Sequence, residues 1–150
     1  MIRVRTAGFS LVELLVVLVI IGLLFGLVGG SIYRNLDGVK MRRTGKAVVN
    51  SLRYTRAQAI VTREEQFLEV DIEARTYTRP GKKAEEVPEG VDITLRTASM
   101  DILSDTRGRI RFYPDGSSTG GTITLMVENR VWRVNVAWLT GEIVLETERT

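Results

Sequence analysis

The strongest pattern in the chain is a run of twenty uncharged residues from Leu14 to Tyr33, LLVVLVIIGLLFGLVGGSIY. At about 1.5 Å per residue, a helix of that length reaches the roughly 30 Å of a bilayer hydrocarbon core. A fully water-exposed monomer is therefore not the expectation. After a loosening expected around Asp37-Gly38, helical periodicity resumes over residues 39 to 64. Val48, Val49, Leu52, Ala59 and Ile60 share one face there, and Arg53, Arg56 and Arg63 lie largely elsewhere. The pattern then changes to a period of two. Leu68, Val70 and Ile72 alternate with Glu69, Asp71 and Glu73, which predicts a half-buried strand with Arg75 to Arg79 as its hairpin mate. Pro80 to Gly90, PGKKAEEVPEG, reads as a loop. Further strands are expected at Val91 to Thr97, Arg109 to Tyr113, Thr122 to Val127, Val131 to Leu139 and Glu142 to Leu145. Pro114-Asp115-Gly116 and Thr140-Gly141 mark turns between them.

Composition narrows the chemistry. The 150 residues include no Cys and no His, which removes disulfides, thiol nucleophiles and the commonest acid-base and metal-binding side chains. The net charge of +3 is unevenly distributed. Arg34 to Arg63 holds eight basic residues against Asp37 alone, whereas residues 64 to 150 hold eleven basic and sixteen acidic ones. The residues after the apolar run suffice for one small domain.

Glu13 interrupts the apolar segment near its start. A carboxylate at helix centre would cost about 2.5 to 3.5 kcal/mol on insertion scales, less near the interface. It either sits in the headgroup zone or pairs with a cation that another chain brings to the same depth. The preceding MIRVRTAG and the apolar run imitate a secretory signal, but the run is too long and its small residues, Ala7 and Gly8, come before it. Gly22, Gly26, Gly29 and Gly30 admit close approach by another helix, or reflect the general frequency of glycine in membrane helices.

Gly8-Phe9-Ser10-Leu11-Val12-Glu13-Leu14, after a short basic leader and before a bilayer-length helix, resembles the N-terminus of type IV prepilins and pseudopilins. The resemblance implies cleavage after Gly8 by prepilin peptidase, N-methylation of Phe9, and a role for Glu13 in drawing a subunit into a filament through a neighbour's N-terminal amine. Ile110 to Gly121 (IRFYPDGSSTGG), Trp132 to Val136, Trp138 to Gly141 (WLTG) and Leu52 to Ile60 (LRYTRAQAI) resemble the general secretion pathway protein H and FimT families. The implied fold is α+β and pilin-like: a long N-terminal membrane-spanning helix, extended by an amphipathic helix packed on a C-terminal antiparallel β domain. The implied divisions are a leader at 1–8, a transmembrane and filament-core helix at 9–36, an amphipathic helix at 37–65 and a periplasmic β domain at 66–150.

The function implied is that of a non-enzymatic minor pseudopilin of type II secretion, anchored in the inner membrane and assembled near the tip of a periplasmic pseudopilus. Its implied partners are the major and minor pseudopilins, prepilin peptidase, the inner-membrane secretion platform, and a secreted substrate or the outer-membrane channel. Catalytic residues, cofactors and metals are not expected. A FimT-like minor pilin serving pilus biogenesis or DNA uptake is the alternative within the filament class, and a bitopic membrane protein with an enzymatic β domain is the alternative outside it.

Asp115-Gly116-Ser117-Ser118-Thr119-Gly120-Gly121 lacks the Lys of a phosphate loop and precedes a strand, so a turn is expected, and it lacks the regular acidic positions of a calcium loop. Trp132 and Trp138, an even number apart, are expected on one strand face. The basic stretch fits a solvated face with anionic headgroups near its start, a contact with acidic filament neighbours second, and nucleic acid last, since aromatics are not interleaved. Two Lys or Arg before the apolar run and five close after it would place the C-terminal part in the cytoplasm. The resemblance implies the reverse, because the leader must meet a cytoplasmic-face peptidase.

Overall fold

The computed structural model describes the backbone of residues 10–149 and the side chains of residues 10–24 and 39–148. One helix, α1 (Leu11–Thr62), precedes eight strands and a short 3-10 turn among these residues. Two compact units divide the chain between Gly38 and Val39.

In the first unit, the apolar side chains from Leu11 to Leu24 are exposed by 42% at Ile21 to 81% at Leu11. A helix apolar on every side has no polar face for water and requires lipid or other helices around it. Among the described residues no helix is long and apolar enough to cross a membrane. The expected span continues to Tyr33, and the side chains of residues 25–33, the stretch that includes Gly26, Gly29 and Gly30, lie outside those described. Gly8 and Phe9 lie outside them as well.

The helix runs unbroken through Asp37-Gly38, where a loosening was expected. One glycine costs about 1 kcal/mol relative to alanine in a helix. Propagation already adds a hydrogen bond per residue on both sides, so a long helix absorbs that cost.

In the second unit, α1 buries Met41, Thr44, Gly45, Val48, Leu52, Thr55 and Ala59 at helical spacing. The buried hydroxyls are satisfied within the helix, Thr44 donating to the Lys40 carbonyl at 3.0 Å and Thr55 to the Ser51 carbonyl at 2.8 Å. A Cβ on Gly45 would lie 2.8 Å from Cε3 of Trp132, so glycine lets that ring lie close against the helix. Ile60, expected on the buried face, is 43% exposed, while Ala59 beside it is fully buried.

The strands are β1 (Gln66–Asp71), β2 (Thr76–Thr78), β3 (Glu85–Glu86), β4 (Asp92–Thr97), β5 (Arg107–Phe112), β6 (Gly121–Val127), β7 (Arg130–Val136) and β8 (Ile143–Arg149). They form two antiparallel sheets, ordered β3-β2-β1-β5 and β4-β6-β7-β8. Leu68, Val70, Ile110, Phe112, Ile123, Leu125 and Val134 join Val48 and Leu52 in one core with full exclusion from solvent. Each such side chain contributes about 1.5 to 3 kcal/mol by burial. In the second sheet Ile123 faces Val134, which faces Leu145. Its opposite face carries a polar ladder, with Arg96 donating to Thr122 at 3.4 Å, Thr122 to Asn135 at 3.0 Å, and Asn135 to Glu146 at 3.0 Å.

Three further expectations change. The Pro80 to Gly90 loop contains β3, two residues paired with Thr76 and Tyr77. The strand expected to reach Leu139 ends at Val136, because Ala137 receives the Gly141 amide and donates to the Glu142 carbonyl, closing a turn. Trp138 therefore does not share a strand face with Trp132. It stands 68% exposed in that turn, while Trp132 packs against the core.

Candidate assembly site

Glu13 lies in the first turn of α1, where the helix dipole favours a carboxylate by about 0.3 to 1 kcal/mol. Ser10 precedes the helix, and its carbonyl accepts the Leu14 amide at 3.2 Å. Glu13 is exposed and makes no ion pair among the described residues. Its charge is thus available at the start of the otherwise apolar stretch Leu11 to Leu24 of α1, which is the arrangement a cation from another chain could complete.

At the other end of α1, Arg56 joins the two distal segments singled out in the sequence. It lies four residues after Leu52 and three before Ala59, on the flank of the buried face. Its Nε donates to the Gly116 carbonyl at 2.9 Å and its Nη2 to the Thr140 carbonyl at 3.0 Å. The turn at Pro114-Asp115-Gly116 and the turn at Thr140-Gly141 therefore meet on one guanidinium. They also touch each other: a Cβ on Gly141 would sit 2.1 Å from the Gly116 carbonyl oxygen. Gly141 has a φ of +62° and Gly116 of +83°, left-handed values that glycine adopts without a steric penalty. Only periodicity was available in the sequence, which set Arg56 apart from the apolar face and gave no sign that its donors turn back onto two turns 60 and 84 residues away.

The loop between β5 and β6 is fastened on both sides. Ser118 donates from Oγ to the Arg111 carbonyl at 2.7 Å and from its amide to the Trp138 carbonyl at 2.8 Å. Asp115 Oδ1 accepts from the amide and hydroxyl of Ser117 at 2.9 and 2.6 Å, and these bonds, the hydroxyl's first, hold its carboxyl below the usual range. The Asp115 and Ser117 groups close the turn on itself, in keeping with a structural turn. Beside it, Tyr113, Ser117, Met100, Trp138 and Leu139 line a groove of about 490 Å³.

Asp101 is a second buried polar centre that the sequence did not reveal. Fully excluded from solvent, its Oδ1 accepts from Arg109 Nε at 2.8 Å and Arg111 Nη2 at 2.9 Å, and Arg111 also pairs with Glu65. Burial alone would raise its pKa; the hydrogen bonds from Arg109 and Arg111 outweigh that and hold it below the usual carboxylate range. A carboxyl with a depressed folded pKa contributes stability above its unfolded value, and that contribution disappears as pH falls through the folded one. Stability should therefore decline below about pH 4. Asp101→Asn should flatten this decline, and Asp101→Ala should cost about 3 kcal/mol at neutral pH by leaving Arg109 without its carboxylate and Arg111 with Glu65 alone. Urea unfolding of the full-length protein in detergent at a series of pH values measures both; an unchanged profile for Asp101→Asn would refute the assignment.

A helix passing into a unit of antiparallel sheets is the architecture of a pilin-like subunit, and solved structures agree. The minor pseudopilin EpsH from the type 2 secretion system of Vibrio cholerae matches with a TM-score of 0.53 and 15% identity, covering 71% of this chain and 96% of that one. The type IV minor pilin FimU of Pseudomonas aeruginosa matches with a TM-score of 0.54 and 11% identity, covering 73% and 90%. At such identities the likeness concerns the fold. In sequence, the family described as type II transport protein GspH matches residues 44–140, and the prokaryotic N-terminal methylation motif matches residues 3–29. The type II secretion system protein H of Xanthomonas campestris pv. campestris is 36% identical over 142 residues, spanning 95% of this chain and 84% of that protein. The chain belongs to the GspH family.

Proposed function

We propose that this chain is a minor pseudopilin of a type II secretion system, a structural subunit and not an enzyme. The observation that carries the reading is the joint match of one chain to the N-terminal methylation motif over residues 3–29 and to the GspH family over residues 44–140. In this reading residues 1–8 are a leader cleaved after Gly8, and Phe9 becomes the methylated N-terminus. Residues 9–36 hold the subunit in the inner membrane and later pack in the filament core. Residues 37–65 and the β domain at 66–150 stand in the periplasm. Glu13 meets a neighbour's N-terminal amine, and the subunit lies near the pseudopilus tip among other pseudopilins, on the inner-membrane platform that assembles them.

Physical chemistry supports this arrangement. The exposed apolar shell of Leu11 to Leu24 is unfavourable in water, and both lipid and a bundle of like helices remove it. A carboxylate inside such a bundle is tolerated when a cation lies beside it, so pairing and assembly are coupled. The filament would act mechanically in export.

In the bacterium that encodes this chain, deleting its gene is expected to leave type II substrates in the periplasm, and the full-length chain should restore export. Normal export in the deletion strain with pilus assembly lost would favour the second reading, a minor type IV pilin, which the likeness to FimU supports at the level of fold. A reporter active only in the periplasm, fused after Thr150, should be active; an inactive but intact fusion would reverse the orientation.

A further inference from the structure

The second unit carries a charge pattern that its own fold leaves unanswered. From Val39 to Arg63 there is not one Asp or Glu. Lys40, Arg42, Arg43, Lys46 and Arg53 are all exposed on α1, and the ion pairs among the described residues involve none of them. The spacings Lys40/Arg43, Arg42/Lys46 and Arg43/Lys46 set like charges three or four residues apart, where they destabilise a helix by a few tenths of a kcal/mol per pair. A helix face that only needs water is normally relieved by interspersed acids; this one is not. Between and beyond the cations stand short side chains, Asn50 and Ala57, at i+4 from Lys46 and Arg53, so another surface can approach the strip closely.

We infer that the exposed basic strip of α1, centred on Arg42, Lys46 and Arg53, docks onto an acidic sheet-domain surface of a neighbouring pseudopilin. The inference rests on the proposed function. Its partner is chosen by charge complementarity: a strip of cations without an acid takes a net-acidic face, and the sheet domain of this chain, with sixteen acidic against eleven basic residues over 64–150, has that sign of net charge. Anionic lipid fits less well. Arg42 to Arg53 spans about 16 Å of helix at about 1.5 Å per residue, whereas each headgroup layer is roughly 5 to 8 Å deep. Nucleic acid would bring a dense polyanion against the same net-acidic domain.

The test uses the full-length chain, tagged and co-expressed with the other pseudopilins of its own system, solubilised in detergent and purified. The pseudopilins that accompany it are identified and quantified by mass spectrometry. Arg42→Glu, Lys46→Glu and Arg53→Glu combined should reduce partner recovery about tenfold, and recovery with the unaltered chain should fall steeply as salt rises. Lys82→Glu with Lys83→Glu, exposed cations in the loop before β3, should leave it unchanged. The helix variants replace exposed residues by another good helix former, and an unchanged unfolding midpoint verifies that they fold. Undiminished, salt-insensitive recovery of pseudopilins would overturn the inference and leave the proposed function standing. Loss of binding to phosphatidylglycerol vesicles or to DNA with pseudopilin recovery intact would overturn it in favour of those ligands. Failure of the unaltered chain to recover any pseudopilin would overturn the proposed function and this inference together.

Discussion

Gly141→Ala is expected to destabilise the second unit by about 3 to 5 kcal/mol, a severe loss for a domain of this size. Two independent costs combine. The left-handed φ of +62° is strained for any residue with a Cβ. The added Cβ would also stand 2.1 Å from the Gly116 carbonyl and 2.8 Å from Arg56 Nε. The carbonyl belongs to backbone, so relief requires the two turns to separate and breaks the hydrogen bonds from Arg56 to Gly116 and Thr140. Arg56→Ala should cost less, about 1 to 3 kcal/mol, because it leaves the two carbonyls without their donor yet keeps the turns in contact. Thermal unfolding of the full-length protein in detergent ranks these variants. A Gly141→Ala protein as stable as the unaltered one would show that the turns are not packed as described.

Glu13→Ala is expected to leave the protein in the membrane fraction while sharply reducing its incorporation with other pseudopilins and the export they support. Removing a carboxylate from an apolar helix makes insertion easier, so a loss of function cannot be ascribed to a failed anchor. If Glu13 meets an N-terminal amine inside a helix bundle, its removal strands that charge at a cost of about 3 kcal/mol, roughly a hundredfold in an assembly constant. Glu13→Asp keeps the charge and should retain part of the activity; Glu13→Gln keeps the shape without the charge and should resemble the alanine variant. Full export with Glu13→Ala would return the residue to the simpler role of a carboxylate resting in the headgroup zone.

The features legible in the sequence were those with a period or a local motif. The apolar run, the amphipathic face holding Val48, Leu52 and Ala59, and the alternation through Leu68 and Val70 pointed to a helix followed by sheets, and the two antiparallel sheets agree with that reading. Long-range effects were not legible. Periodicity alone could not show that Arg56 lies against two turns 60 and 84 residues away, or that Asp101, in a short 3-10 turn outside any periodic element, is buried between arginines eight and ten residues further on. It could not carry the helix through Asp37-Gly38 either, because a local breaker signal is overridden by the hydrogen bonds on both sides. Trp138 misled for a related reason: its even spacing from Trp132 suggested one strand, but the turn that Gly141 permits ends that strand at Val136.

Whether the chain is a processed subunit built for a pseudopilus is read at its N-terminus. Mass spectrometry of the protein isolated from membranes of an export-competent strain should find a chain beginning at Phe9 and carrying one methyl group on its amine. A protein that retains residues 1–8 while export proceeds normally would contradict that role.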